Sequence, residues 1–263
     1  MNDFILFIDS GIGGTNLLKL TQNLLPHESF LYVADTQNLP YGNKSKCRVT
    51  KLVTKKIKQV TNKYPVKMIV LACNTATATS VTTLRKTFSI PVVGIEPAIK
   101  KALDLGHKNI LVIATSATVK HSKIIKKYHN YPYVPAEFLR AKIKTNGTKL
   151  RKNSGCYGTC CSFKVGCPAA KITIKKDRKL AKLIESRSAK LLKHLSKYKK
   201  YSACDAVVLG CTHYVFATDK LKRIFNKAKF YEASPYVAKR IKQVLILENI
   251  LKNKGKGKTI FLD

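Results

Sequence analysis

The sequence lacks any stretch approaching the roughly 18 consecutive apolar residues that a membrane span needs. Its early apolar run, Phe4 to Ile8, is short and follows Asp3 rather than lysines. No membrane partner and no secretory leader are therefore expected, and the cytoplasm is the expected location. Acidic residues are also scarce, 14 against 50 basic ones, giving a formal charge of +36 over 263 residues. Arginine is scarce in turn, with eight against 42 lysines spread through every segment. Arginine is the side chain that makes forked contacts to bases and phosphates, and nucleic-acid binders concentrate charge in a patch or motif. A dedicated nucleic-acid function is not expected, and the lysines read as solvated faces whose field would still draw a small dianion. Finally, the eight cysteines include no Cys-x-x-Cys pair. That argues against a redox disulfide motif and leaves reduced thiols available for other chemistry.

What is present, 45% hydrophobic residues, suffices for one large core or two moderate ones. Short apolar runs alternate with amphipathic stretches. Phe4 to Ile8 precedes a helix from about Thr15, Ser29 to Ala34 precedes one from about Ser45, and Val66 to Ala72 and Pro91 to Ile95 continue the series. After Glu96-Pro97 the pattern restarts with a helix over Ala98 to Leu105, a strand over Asn109 to Ala114 and a helix from about Ala117. This alternation predicts an α/β fold with mostly parallel sheets. Leu180 to Leu195 reads as one amphipathic helix, and Thr259 to Leu262 as a last strand.

Two pieces of the chain echo each other. "VLACNT" (Val70 to Thr75) and "VLGCTH" (Val208 to His213) each run from a buried strand into a cysteine followed by hydroxyl or amide groups. "FILFIDSGIGG" is likewise echoed by "NILVIATSAT", equating Asp9 with Thr115. The interval from Thr115 to Cys211 exceeds that from Asp9 to Cys73 by about 32 residues. A basic, cysteine-rich insertion around 142–171 accounts for the difference. The expected architecture is two pseudo-symmetric doubly wound domains with the active site in the cleft between them. Residues 1–97 with 233–263 form the first, and residues 98–232 the second.

In open α/β sheets ligands bind at the carboxyl ends of strands, where Cys73 and Cys211 both fall. A thiol before a helix N-terminus is expected to have its pKa lowered toward neutrality by the dipole and free N–H groups. Either cysteine alone reads equally as a small core residue. As a matched pair facing one cleft, they suit removal of a proton from one face of a carbon and its return to the other. Asp9 is also a favoured helix cap, His213 a candidate structural histidine, and Tyr41 an ordinary turn residue.

Five motifs, "FIDSGIGG" (Phe7 to Gly14), "ADTQNLPYGNKS" (Ala34 to Ser45), "ACNTATA" (Ala72 to Ala78), "GIEPA" (Gly94 to Ala98) and "LGCTHY" (Leu209 to Tyr214), occur in that order over essentially the whole chain. Together they resemble the cofactor-independent aspartate/glutamate racemase family, and His213-Tyr214 resembles its glutamate branch. The resemblance implies interconversion of L- and D-glutamate without a cofactor or metal, supplying D-glutamate for peptidoglycan. It implies that Cys73 removes the α-proton of D-glutamate and Cys211 that of L-glutamate, with Asp9 and His213 assisting. Asp9, Ser10, Pro40, Tyr41, Gly42, Asn74, Thr75, Thr212 and His213 would hold the substrate, and a homodimer is possible. Two other readings stay open, a racemase for aspartate or another amino acid and a basic nucleic-acid-binding protein on a decayed racemase scaffold.

Three departures stand out. Gln37-Asn38 and Val215 replace the family's Ala-Arg and proline. The acidic residue expected after a Cys-Pro falls near Lys175 when counted from Cys167-Pro168. The cluster Cys156, Cys160, Cys161 and Cys167 lacks the paired Cys-x2–4-Cys knuckles of structural zinc sites, and no metal is expected there.

Overall fold

Among the described residues nine strands divide into two sheets, and every strand pair in both is parallel. The computed structural model describes residues 3–129 and 170–262. The first sheet contains β1 (Phe4–Asp9), β2 (Ser29–Ala34), β3 (Val66–Leu71), β4 (Val92–Gly94) and β9 (Thr259–Leu262), in the order β4-β3-β1-β2-β9. The second contains β5 (Asn109–Ala114), β6 (Lys171–Lys176), β7 (Ala206–Gly210) and β8 (Lys229–Tyr231), in the order β6-β5-β7-β8. Read from the opposite edge, β8-β7-β5-β6 repeats β4-β3-β1-β2.

The central strands are largely apolar because both of their faces are covered. Ile5 and Phe7 of β1 join a core with Leu17 and Leu18 of α1 (Thr15–Leu24), while Phe4, Leu6 and Ile8 join a second core with Val49, Val53 and Ile57 of α2 (Lys46–Thr61). In the second sheet Leu111 and Ile113 face one core, and Ile110 and Val112 the other. Helix α2 shows why its sequence folds as it does. Ser45 Oγ accepts the Arg48 N–H at 3.2 Å as the cap, the buried valines and isoleucine recur at helical spacing, and the lysines fall on the outer face. Near its end the chain returns to the first sheet, with α10 (Ser234–Leu247) supplying Val237, Ile241 and Leu245 to the core beside α1.

The remaining helices among the described residues are α3 (Asn74–Thr87), α4 (Ile99–Asp104), α5 (Ser116–His121), α6 (Lys123–His129), α7 (Leu180–Glu185), α8 (Leu191–Leu195) and α9 (Thr218–Lys222). The single helix expected over Leu180 to Leu195 is two short ones. Its heptad-like pattern is interrupted at Arg187, which takes a left-handed φ of 48° and turns the chain. The cluster Cys156, Cys160, Cys161 and Cys167, with nearly all of the insertion, lies outside the described residues. No helix among the described residues is long and apolar enough to cross a membrane.

At the amino-terminal edge of the first sheet, Lys67 and Glu28 form a buried ion pair at 2.7 Å. Lys67 Nζ also donates to the Ile250 carbonyl at 2.6 Å, and Glu28 accepts the Lys252 N–H at 2.8 Å, so the pair fastens the carboxyl-terminal segment to the sheet. Removing one partner strands a charge in low dielectric. Lys67→Met is expected to lower the unfolding free energy in urea by about 3–5 kcal/mol, and adding Glu28→Gln to restore much of the loss. Equal stability of the two variants would contradict this.

Candidate active site

The strand registers bring the repeated motifs to one place. Ile8 lies opposite Leu71 and Ala114 opposite Gly210. Carried forward, these registers set Cys73 level with Ser10 and Cys211 level with Thr115. The structure thus equates Thr115 with Ser10, one residue from the sequence match to Asp9. Each cysteine is extended at a helix N-cap, Cys73 before α3 and Cys211 before the 3-10 turn Thr212–Ala217. Both are buried, at 4% and 6% exposure.

Contacts across the seam join the two halves. Asp9, fully buried, accepts hydrogen bonds on Oδ1 from Ser10 Oγ at 3.2 Å and the Gly11 N–H at 3.1 Å. Its Oδ2 accepts from Thr212 Oγ1 of the other half at 3.2 Å. Ser10 Oγ lies 3.8 Å from Cys73 Sγ, and Cys211 Sγ lies 3.9 Å from His213 Nδ1. Reciprocally, Thr75 Oγ1 lies 2.8 Å from Thr115 Oγ1 and 3.1 Å from Thr118 Oγ1, and these two are 2.9 Å apart. Asn74 Oδ1 is buried and meets no donor among the described residues. The glycines of the first loop are required by this approach. A Cβ on Gly13 would stand 2.5 Å from His213 Nδ1 and 2.6 Å from Thr212 Oγ1.

Burial governs the charges. It pushes the Asp9 carboxyl up to about 6, although His213 and the Gly11 N–H oppose it. It also raises the Cys73 thiol well above the ordinary range, helped by the negative charges of Asp9 and Cys211. The expected lowering of Cys73 is therefore reversed. The Ala76 N–H at the start of α3 does favour the thiolate, but desolvation outweighs it. His213 behaves oppositely: burial disfavours its cation, yet hydrogen bonding to Cys211 and Glu185 prevails and lifts it to about 11.

Glu185 escaped the sequence reading. Its carboxylate lies 2.8 Å from His213 Nε2 and accepts the Ile12 N–H at 3.4 Å. Burial tends to raise its pKa, but the His213 hydrogen bond and charge hold it below the usual carboxylate range. Lys175, where the sequence count had put the missing acid, points elsewhere, its ammonium 4.8 Å from the Tyr201 ring centre. The signal available was an acid at the end of a short apolar helix, obscured by the single-helix reading. Thr115 and Thr118 were flagged only as part of a repeat.

The other expected site residues sit around this centre. Tyr41 is buried and donates its hydroxyl to Asp35 Oδ2 at 2.6 Å. Pro40 precedes it in extended backbone, and Gly42 packs against Thr115, where a Cβ would come within 2.6 Å. No group of three or more His, Cys, Asp or Glu side chains among the described residues is arranged to hold a metal ion.

Residues 17–151 match the Asp/Glu/Hydantoin racemase family. A glutamate racemase of Buchnera aphidicola is 31% identical over 95% of this chain and 88% of its own length. The chain belongs to the Asp/Glu/Hydantoin racemase family. Another of its members, glutamate racemase 2 of Bacillus subtilis, is 30% identical over 98% of this chain and 87% of its own. Among solved structures, a glutamate racemase from Bacillus anthracis superposes with a TM-score of 0.73 at 23% identity, covering 98% of this chain and 87% of that one. One from Aquifex pyrophilus superposes with a TM-score of 0.64 at 27% identity, covering 99% and 89%. The first of these likenesses speaks for the fold alone.

A pKa raised in the folded state means that folding favours the proton. The stability contributed by the His213 cation is fully present below about 6.5 and is lost as pH rises toward about 11. The difference in unfolding free energy between wild type and His213→Gln is expected to shrink steadily across that window. A difference independent of pH would show that His213 carries no extra proton in the fold.

Proposed function

We propose that this chain is a glutamate racemase that interconverts L- and D-glutamate by a two-cysteine acid–base mechanism. The observation that carries the reading is the pair of buried thiols, each at the N-cap position of a helical turn beyond equivalent strands of the two sheets, with Asp9 behind one and His213 beside the other. The D-glutamate formed supplies peptidoglycan synthesis. Sheet membership supports a division into one domain of residues 1–97 with 233–263 and a second of residues 98–232.

In this mechanism Cys211 takes the α-proton of L-glutamate while Cys73 donates to the opposite face, and the roles exchange in reverse. The raised Cys73 thiol suits it as the starting acid, with Asp9 the adjacent group that carries the next proton. His213, cationic and held by Glu185, stabilises negative charge on the Cys211 sulfur. As the α-proton leaves, charge grows on the substrate carboxylate. The N–H groups opening α3 and the hydroxyls of Thr75, Thr118 and Thr212 are suited to receive it. The unpartnered Asn74 Oδ1 would accept from the ammonium, with Ser10 and the Pro40-Tyr41-Gly42 turn completing the enclosure. Because both thiols are nearly inaccessible, admission of substrate requires the halves to part.

The test is inversion of glutamate followed by circular dichroism, with α-proton exchange in D2O, for wild type, Cys73→Ser and Cys211→Ser. Wild type is expected to invert both enantiomers, and each variant to lose inversion by at least about a thousandfold, since a serine hydroxyl is a far weaker acid than a thiol. Exchange retained by a variant on one enantiomer identifies the face its remaining thiol serves. A wild type that neither exchanges nor inverts glutamate would overturn the reading.

A further inference from the structure

Asp177 occupies a place to which the proposed chemistry gives no part. It follows β6 directly, as Asp35 follows β2. The Asp177 N–H donates to the Ala114 carbonyl at 2.8 Å, and the Asp35 N–H to the Asp9 carbonyl at 2.9 Å. Each carboxylate accepts a buried tyrosine hydroxyl, from Tyr198 at 2.5 Å and from Tyr41 at 2.6 Å. In the first half, Tyr41 belongs to the turn beside the site. In the second half, Asp177 does more, because its fully buried side chain joins α7, α8 and the turn after α8, while its backbone carbonyl meets Tyr214.

Its Oδ1 accepts the N–H groups of Lys179 and Leu180, both at 2.9 Å, and so caps the first turn of α7. Its Oδ2 lies 2.7 Å from Lys197 Nζ and 2.9 Å from His194 Nε2, and it accepts the Tyr198 hydroxyl. Its carbonyl accepts the Tyr214 hydroxyl at 3.5 Å, from the residue after His213. Helix α7 ends in Glu185, six residues of rigid helix from the cap, or about 9 Å. Burial would raise the Asp177 carboxyl, but the hydrogen bonds with Lys197, Tyr198, Lys179 and Leu180 outweigh it and hold the group down to about 2, so it is charged at neutral pH.

We propose that Asp177 is a positioning residue for the Cys211 half of the reaction: by fixing α7 and the chain after His213 together, it sets Glu185 against His213 and thereby the imidazole against Cys211. This rests on the racemase reading. Asp177 touches no reacting atom. Its effect is one-sided, because it braces the second half alone.

That one-sidedness makes the proposal testable. The two enantiomers have equal free energy, so kcat/KM in the two directions must stay equal in any variant, and rates alone cannot locate the damage. Primary isotope effects can. Slowing the Cys211 step makes it more rate-limiting, which raises the effect measured with [2-2H]-L-glutamate and lowers that with [2-2H]-D-glutamate. For Asp177→Ala the expected result is a loss of about 10–100-fold in kcat/KM with the two effects moving apart in this sense, the cost of a displacement of about 1 Å. Asp177→Asn, whose amide oxygen still caps α7, is expected to recover much of the rate. Should Asp177→Ala fail to fold, Tyr198→Phe decides. It keeps the ring packed, removes one donor to Asp177 and is expected to give a smaller split of the same sign. Isotope effects that keep their wild-type ratio in a folded variant would reduce Asp177 to a structural role. Absence of glutamate inversion in the wild type, measured in the same series, overturns the racemase reading and this proposal with it.

Discussion

The Asp9 carboxylate is the contact on which the site depends. It stands at the end of the central strand of the first sheet with no exposed surface, and Thr212 of the second half reaches across to it. Desolvation of this one group explains much of its surroundings. Burial raises the carboxyl to about 6, and the negative charge of its ionised form adds to the forces that keep Cys73 protonated and contributes to the cation on His213. The glycine loop after β1 is the steric counterpart, since side chains there would occupy the space in which the second half docks.

The two halves repeat the same strand order but not the same chemistry. The registers that align Cys73 with Cys211 also align Asp9 with Ala114, so the acid behind the first thiol has no counterpart in the second half. There the helper comes from His213, two residues past the cysteine, backed by Glu185 from α7. The arrangement suits the two sulfurs to the different parts that the proposed mechanism gives them. A buried carboxyl beside one sulfur favours the thiol, and an imidazolium beside the other favours negative charge. In the proposed mechanism a repeated fold thus presents an asymmetric pair to a chiral centre.

The charge of the chain is largely separate from this chemistry. Lys67 is the one lysine buried among the described residues, and it is neutralised by Glu28. The others lie on outer faces such as that of α2, or pair locally, as Lys197 does with Asp177. Their joint effect at a distance is a positive field, which favours the approach of a dicarboxylate and weakens with salt.

Much of the fold was legible because parallel strands covered on both faces read as short apolar runs, and Ser29 to Ala34 and Asn109 to Ala114 fall where those runs predict. The lysine-rich β6 and the three-residue β8 gave no such signal, being edge strands whose apolar residues alternate with polar ones or run for only two positions. Arg187 broke a helix that periodicity had joined, and that error hid Glu185. The sequence by itself determined the strand-and-helix alternation, the placing of two cysteines at strand ends, and the family, because these depend on local pattern and motif order. Only the tertiary structure decided that Cys73 is held protonated, that Glu185 rather than a residue near 175 faces His213, and that Asp177 ties α7 to the loop after His213. Each of these follows from desolvation or from contact between segments distant in the chain, neither of which has a local trace in the order of residues.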